Sequence, residues 1–434
     1  MESINSLKEL VFRTKYDKRA IILRLIFGLM LNSVIFQLAS LAQVNSLDFF
    51  INQGLVHSPV LKDIGNQVIS NSVDSMLVRA GQMPQVSYNG LLYYAPVING
   101  IGYSEVITNI SNITSVAYVS QRIFNQKVVD AQYSKLAIEN QVLRISSKIT
   151  EKDLKKAITL QYLTACTVSN DIAFNGELLA SSKNEELILK QLIEKGQYKL
   201  VDYYSFMVEL KSQELLLNDL QIQYQKEISS LYTLCGLTDT IYSQLSLPDI
   251  KLNFPVNEVN SPFFSRFIVD SLRIQNEKLQ IDRNYNPSVN WFADAGLVNN
   301  IPRDMVKNFG FSAGLSLSVP IYDGRQRKLN YDKLIIAENT RTNYEDYFKK
   351  QYSHQLQQLY SELKRTREII PQVTQQLDFA EMVIRQDKNL LNTGNISIIE
   401  YVTGLRNYIS VKRNLNQYQV RILQIMTEIN YWNQ

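Results

Sequence analysis

The chain has 434 residues and a formal charge of +4, from 45 Lys and Arg against 41 Asp and Glu. So even a balance excludes a protein held to nucleic acid by bulk charge. With only 16 Gly and 10 Pro beside 25 Tyr, the composition also excludes a string of loop-rich globules and points to long helices with a few strands.

Residues 1–42 hold six basic and three acidic side chains, and without them the charge falls to +1. A basic start, the apolar run Leu25 to Leu38 and the small residues of Ser40-Leu41-Ala42 before Gln43 have the form of a cleaved export signal. The alternative is a membrane anchor, although Asn32, Ser33 and Gln37 interrupt a run already short for a span. No cysteine stands at the cut to carry a lipid. No later run has the length of a spanning helix, so any further membrane crossing would be made by strands.

Leu55, Leu61, Ile64, Val68, Val73 and Leu77 recur at helical spacing, which predicts a helix from Leu47 to Ala80, stopped by Gly81 and Pro84. A β-prone stretch (about 85–96), a Gly- and Asn-rich loop and a second strand (about 113–124) follow as a hairpin. From 126 to about 194 no proline occurs, and Val129, Leu136 and Leu143 recur every seven residues. That predicts one long helix with a coiled-coil-like seam, spanning roughly 100 Å at 1.5 Å per residue. Gly196 breaks it, and a return helix carries Leu217, Leu220, Tyr224, Ile228 and Leu231 to 235. An irregular connector covers 237–260. The sequence of elements then recurs: a helix from Ser261 to Asn284, strands at about 288–298 and 308–319, a long helix over about 325–391, a turn at Gly394 and a return helix to 432. Pro371 inside the second long helix predicts a bend rather than a break.

The recurrence is regular. Ile123-Phe124-Asn125 and Ile321-Tyr322-Asp323 stand 198 residues apart, and Gly196 and Gly394 stand the same 198 apart. Met83-Pro84-Gln85 and Asn286-Pro287-Ser288 are offset by 203, the difference falling in the hairpin loops, where length is free. The chain therefore divides into repeat 1 (43–236) and repeat 2 (261–434), each helix–strand–strand–long helix–turn–helix.

Phe309, Phe311, Ala313, Leu315, Leu317 and Val319 alternate with Gly and Ser up to Pro320. One face of that strand is apolar and the other small and polar. A soluble four-stranded sheet could pack such a face on a core. A barrel shared by several copies could turn it to lipid instead. Uncharged Gly/Ser opposite the apolar face, strands of membrane-crossing length, and Tyr93, Tyr94, Phe124, Trp291, Phe292, Phe309 and Tyr322 near strand ends favour the barrel.

Chemistry-bearing patterns are scarce. His57 and His354 lie far apart, and no zinc spacing, phosphate-binding glycine loop or nucleophile elbow occurs, so neither enzyme nor cofactor is expected. Cys166 and Cys235 occupy apolar helical positions as buried thiols, with a disulfide as the alternative.

Leu317 to Gly324 (LSVPIYDG), its weaker copy Val119 to Gln126 (VSQRIFNQ), and the turns LIEKGQYKLVDYY from Leu192 and LLNTGNISIIEYV from Leu390 together resemble the TolC-type outer-membrane efflux proteins. The resemblance covers essentially all of the chain after the signal. It implies a mostly helical α+β membrane protein and a homotrimer, with a twelve-stranded barrel in the outer membrane of a Gram-negative bacterium and a helical barrel in the periplasm. It further implies a periplasmic adaptor and an inner-membrane pump as partners, and a passive efflux or secretion duct as the function. Phe124, Pro320 and Tyr322 would mark the barrel-to-helix junctions, and Phe309, Phe311, Leu315, Leu317 and Val319 would face lipid. Gly196 and Gly394 would form the periplasmic tips, with Asp202 and Glu400 at the constriction. Where such channels often carry a second acid three residues on, this chain has Ser205 and Thr403. Each acid also suits the first turn of its helix with no pore at all. The competing function is a secreted or periplasmic coiled-coil scaffold.

Overall fold

The computed structural model describes residues 46–96, 98–103, 111–123, 126–238, 245–253, 261–299 and 308–433. The expected signal segment and Phe124 lie outside these residues. In chain order the elements are α1 (Leu47–His57), α2 (Pro59–Ala80), β1 (Gln85–Tyr94), β2 (Ser111–Ile123), α3 (Gln126–Glu194), α4 (Leu200–Leu234), α5 (Pro262–Asn284), β3 (Ser288–Asn299), β4 (Phe309–Ser318), α6 (Gln326–Asn392) and α7 (Ile398–Asn433). Two compact units result, and neither coincides with a repeat. A helical unit takes Met1–Ser58, Glu151–Pro255 and His354–Gln434, and a sheet unit takes Pro59–Thr150 and Val256–Ser353.

The expected helix Leu47–Ala80 is two helices. Ser46 caps α1 through its hydroxyl, which accepts from the Phe49 N–H at 3.2 Å. Pro59 opens α2 at its first position, and a proline there both suits a helix start and drives the preceding residue out of helical geometry. The expected apolar stripe is only partly buried: Ile64 is covered, whereas Val73 and Leu77 are exposed. Helix α6 runs on through Pro371.

In the helical unit, α1, α3, α4 and the connector enclose Phe50, Ile158, Tyr162, Cys166, Ile228, Leu231, Cys235 and Leu245. Both cysteines are free thiols, Cys166 donating to the Ser246 carbonyl and Cys235 to that of Phe50. Farther along, α6 and α7 bury Leu359, Leu363, Ile425, Met426 and Ile429. The apolar positions of both return helices thus form continuous seams against their long helices.

The sheet unit holds one antiparallel sheet in the order β1-β2-β3-β4. The two hairpins join because β2 pairs with β3, setting Ala117 opposite Ala295 and Val119 opposite Ala293. Gly296 is required at this seam, since a Cβ there would stand 2.1 Å from the Ser115 carbonyl oxygen. The outer edges of β1 and β4 have no strand partner among the described residues.

Candidate functional site

The two turns of the helical unit are built alike. Gly196 and Gly394 have φ of +75° and +73°, a left-handed geometry that only glycine adopts freely. In the first, the N–H of Gly196 reaches the Ile193 carbonyl at 2.8 Å and that of Gln197 reaches Leu192 at 2.9 Å. In the second, Gly394 reaches Leu391 at 3.1 Å and Asn395 reaches Leu390 at 2.9 Å. Each is the glycine-centred helix end in which two orphan carbonyls are satisfied by the residues that leave the helix. The turns lie against each other: Leu189, Phe206, Leu391, Ile398, Tyr401 and Leu405 share one buried cluster, and the Tyr198 hydroxyl donates to the Ile396 carbonyl at 2.7 Å.

Asp202 and Glu400 occupy equivalent places at the starts of α4 and α7. The Asp202 carboxylate accepts the Lys199 N–H at 3.0 Å. Glu400 accepts the Ser397 N–H at 3.2 Å while the Ser397 hydroxyl accepts the Glu400 N–H, a reciprocal cap. Both acids therefore satisfy helix starts. Glu400 also acts on its surroundings: burial first, and then its charge, hold Asp387 above the usual carboxylate range.

Sequence reasoning did not single out the acids that tie the repeats together. Glu185 on α3 is 2% exposed, and it receives the Tyr401 hydroxyl of α7 and the Lys388 ammonium of α6, the latter at 2.8 Å. Burial first, then the Glu185 charge, push the Tyr401 phenol far above its usual value, so it remains a donor. Glu209 on α4 takes Arg406 of α7 at 2.6 and 2.8 Å. Asp171 takes the Asn416 amide at 2.9 Å, and Asp153 takes the Tyr431 hydroxyl at 2.6 Å. At each of these four joints the acid belongs to repeat 1 and the donor to repeat 2. The signal was present in the sequence: Ser182, Glu185, Leu189 and Leu192 hold 3-4-3 spacing, so an acid stands on an apolar seam. By contrast Tyr203, the counterpart of Tyr401, stays within its own hairpin and donates to Glu186 at 3.0 Å.

The sheet sorts its side chains by register. One face carries Val86, Leu92, Val119, Trp291, Phe309, Phe311, Leu315 and Leu317. This apolar face is uncovered, Phe311 being 86% and Leu315 74% exposed. Two pairs of its polar groups meet sideways, the Trp291 indole N–H donating to Gln121 at 3.0 Å and the Tyr88 and Ser115 hydroxyls meeting at 2.9 Å. The other face carries Gly310, Ser312, Gly314, Ser316 and Ser318 with Asn89, Thr114, Ser120 and Asn290. Two aromatics expected beside the others belong to this polar face: Tyr93 and Phe292 sit next in sequence to Tyr94 and Trp291, and neighbours in a strand point opposite ways.

Pro320, Ile321 and Tyr322 form an exposed passage out of β4, Ile321 being 94% exposed. Asp323 then caps α6, its carboxylate accepting the N–H groups of Arg325 at 2.8 Å and Arg327 at 2.7 Å. The Tyr285 hydroxyl and these N–H groups hold Asp323 below the usual carboxylate range. Arg327 pairs with Asp282 of α5 at 2.5 Å, so strand exit and helix start are bound to the helix that precedes β3. Among the described residues no group of three His, Cys, Asp or Glu is placed to hold a metal ion, and no helix is long and apolar enough to cross a membrane.

No protein-family model and no curated protein matches the sequence. Solved structures do match the fold. The channel-forming protein CusC superposes with a TM-score of 0.72 at 10% identity, over 90% of this chain and 92% of that one. The outer-membrane channel CmeC of Campylobacter jejuni gives 0.68 at 11% identity, over 89% and 85%. The outer-membrane protein VceC of Vibrio cholerae gives 0.67 at 13% identity, over 89% and 96%. At these identities the likeness is one of fold, and the fold is that of the TolC-type outer-membrane channels.

Proposed function

We propose that this protein is a passive exit duct of the outer membrane. Three copies close their four-stranded sheets into a twelve-stranded barrel, continued by a barrel of helices in the periplasm. The observation that carries the reading is the uncovered apolar face on a sheet whose two edges have no strand partner among the described residues. In water such a face and such edges are liabilities. In a bilayer a closed barrel of strands satisfies every backbone group and buries the apolar face in lipid. Strands of 10 to 13 residues fit a tilted crossing. Exposed Leu329, Ile336, Tyr344 and Tyr347 on α6 offer a further apolar surface for a neighbouring copy.

The matched structures support the same reading, since CmeC is described as an outer-membrane channel and CusC as forming a transmembrane channel. Energy and cargo choice would come from an inner-membrane pump joined through a periplasmic adaptor, either for efflux or for secretion. Asp202 and Glu400 would stand near the axis at the tips defined by Gly196 and Gly394, where three copies of each converge. Phe309, Phe311, Leu315, Leu317 and Val319 would face lipid, and Pro320 and Tyr322 would pass the chain from barrel to helix. Fractionation, native mass measurement and planar-bilayer recording test the proposal together. The expected result is an outer-membrane trimer that passes current, and a soluble monomer or dimer would refute it in favour of a coiled-coil scaffold.

A further inference from the structure

The polar face of the sheet is not uniform. Among the described strand residues only Arg122 and Asp294 are charged, and both belong to this face. Asp294 sits in the middle of β3, opposite Tyr118 of β2 and Ser312 of β4. The Ser312 hydroxyl donates to its carboxylate. No described cation pairs with it. Arg122 lies four positions from Tyr118 along β2, about 13 Å away at strand rise.

The surroundings of Asp294 are shaped. Two positions back along β3, the Phe292 ring stacks on Tyr118 with centroids 6.0 Å apart and planes 22° apart. Phe292 lies across Gly314, where a Cβ would stand 2.7 Å from the ring's Cζ. On the other side of Asp294, Gly296 and Gly310 face each other with no side chain between them. A carboxylate is thus set between an aromatic pair and the bare backbone of Gly296 and Gly310, on a face that otherwise carries Gly, Ser, Thr and amide side chains with Leu91, Tyr93, Val116, Val298 and Arg122.

We propose that Tyr118, Phe292 and Asp294 form a docking site for lipophilic organic cations on the duct wall. The proposal rests on the duct reading, in which this face lines the lumen. A flat ring of the cargo stacks beside Phe292 and Tyr118, while its positive charge is drawn both to the ring faces and to Asp294. An inorganic cation lacks the stacking surface and feels only the carboxylate, which salt screens within about 10 Å at 0.1 M. An anion of the same shape is repelled. The site biases the duct toward cationic aromatic cargo.

The test uses the purified full-length trimer in nonionic detergent, titrated calorimetrically with tetraphenylphosphonium, tetraethylammonium and tetraphenylborate. The same cations are then applied to the conducting trimer as blockers. Tetraphenylphosphonium is expected to bind and block, with affinity falling about tenfold in Asp294→Asn and in Phe292→Leu. Tetraethylammonium should bind far more weakly, and tetraphenylborate should bind weakly and gain affinity in Asp294→Asn. Because asparagine matches aspartate in shape, a trimer that still migrates intact on a gel separates lost binding from lost folding. Unchanged tetraphenylphosphonium affinity in both variants, or equal binding of tetraphenylborate, overturns the site. A soluble monomer would overturn the duct and this site together, whereas a conducting trimer indifferent to Asp294→Asn overturns the site alone.

Discussion

Replacing Tyr401 with Phe removes one hydroxyl from the joint between the repeats and leaves the ring in its packing. Tyr401 is 1% exposed and its acceptor Glu185 is 2% exposed, so water does not replace the lost donor without reorganisation. A hydrogen bond to a charged acceptor contributes about 1.5–3 kcal/mol. Glu185 keeps Lys388 at 2.8 Å and Ser181 at 3.1 Å on its other carboxylate oxygen, so its charge stays paired and the expected loss is about 1.5 kcal/mol. Tyr203→Phe is the internal control. Its partner Glu186 also holds Lys190 at 2.8 Å at a wetter site within a single hairpin, and the expected cost there is about 0.5 kcal/mol.

Hydrogen exchange reads the difference directly. A loss of about 1.5 kcal/mol raises the local opening population roughly tenfold. Amides around Phe206 and Leu405, which share the buried cluster, should exchange about ten times faster in Tyr401→Phe and about twice as fast in Tyr203→Phe. In bilayers Tyr401→Phe should also raise the open fraction if the tips part along this joint. Equal exchange rates in the two variants would refute the assignment of Tyr401 as the tie between repeats, whatever the conductance does.

Asp202→Ala and Glu400→Ala should each weaken a helix start by about 0.5–1 kcal/mol, seen in thermal unfolding; conductance unchanged in both would overturn their proposed place at a constriction. Gly196→Ala and Gly394→Ala should each cost about 1 kcal/mol for the left-handed backbone. Gly394→Ala should cost more, because its Cβ would meet the Gln197 side chain at 3.2 Å while Gly196 faces open space, and chemical denaturation would rank them. Asp387 has its pKa raised in the fold, so the fold holds that proton more tightly than the unfolded chain does. The stability it confers is therefore greatest below the ordinary carboxylate pKa and declines as pH rises toward the raised value; Glu400→Gln should flatten that decline in a pH series of unfolding midpoints. Cys166 and Cys235, whose thiols burial pushes up to about 12, should resist alkylation at pH 8 in the folded protein and react once it is denatured.

How much of this was legible in the sequence depended on whether a residue's role is periodic or positional. The Gly196 and Gly394 turns were readable because a helix end needs a left-handed residue, and two of them at one offset cannot be placed independently. The polar and apolar faces of β4 were readable from its strict alternation. On β3 the same rule was available but aromatic clustering obscured it, so Phe292 was grouped with Trp291 although adjacent residues in a strand face apart. The split at Ser58 was missed because the apolar spacing of α1 continues into α2, and only the proline marks the change of direction. The joints at Glu185 and Glu209 are harder to see. A buried acid on a helical seam signals that a partner exists, but the partners Tyr401, Lys388 and Arg406 lie about 200 residues away, and only the packing of one repeat on the other selects them. That selection has a physical consequence. At Glu209 the counterpart of Arg406, 198 residues earlier, is Val208, so a second copy of repeat 1 in the place of repeat 2 would leave that acid buried without its cation, at a cost in desolvation. The Glu209–Arg406 joint thus favours unlike repeats meeting within the chain, an order that near-equal helix lengths and turns alone would leave open.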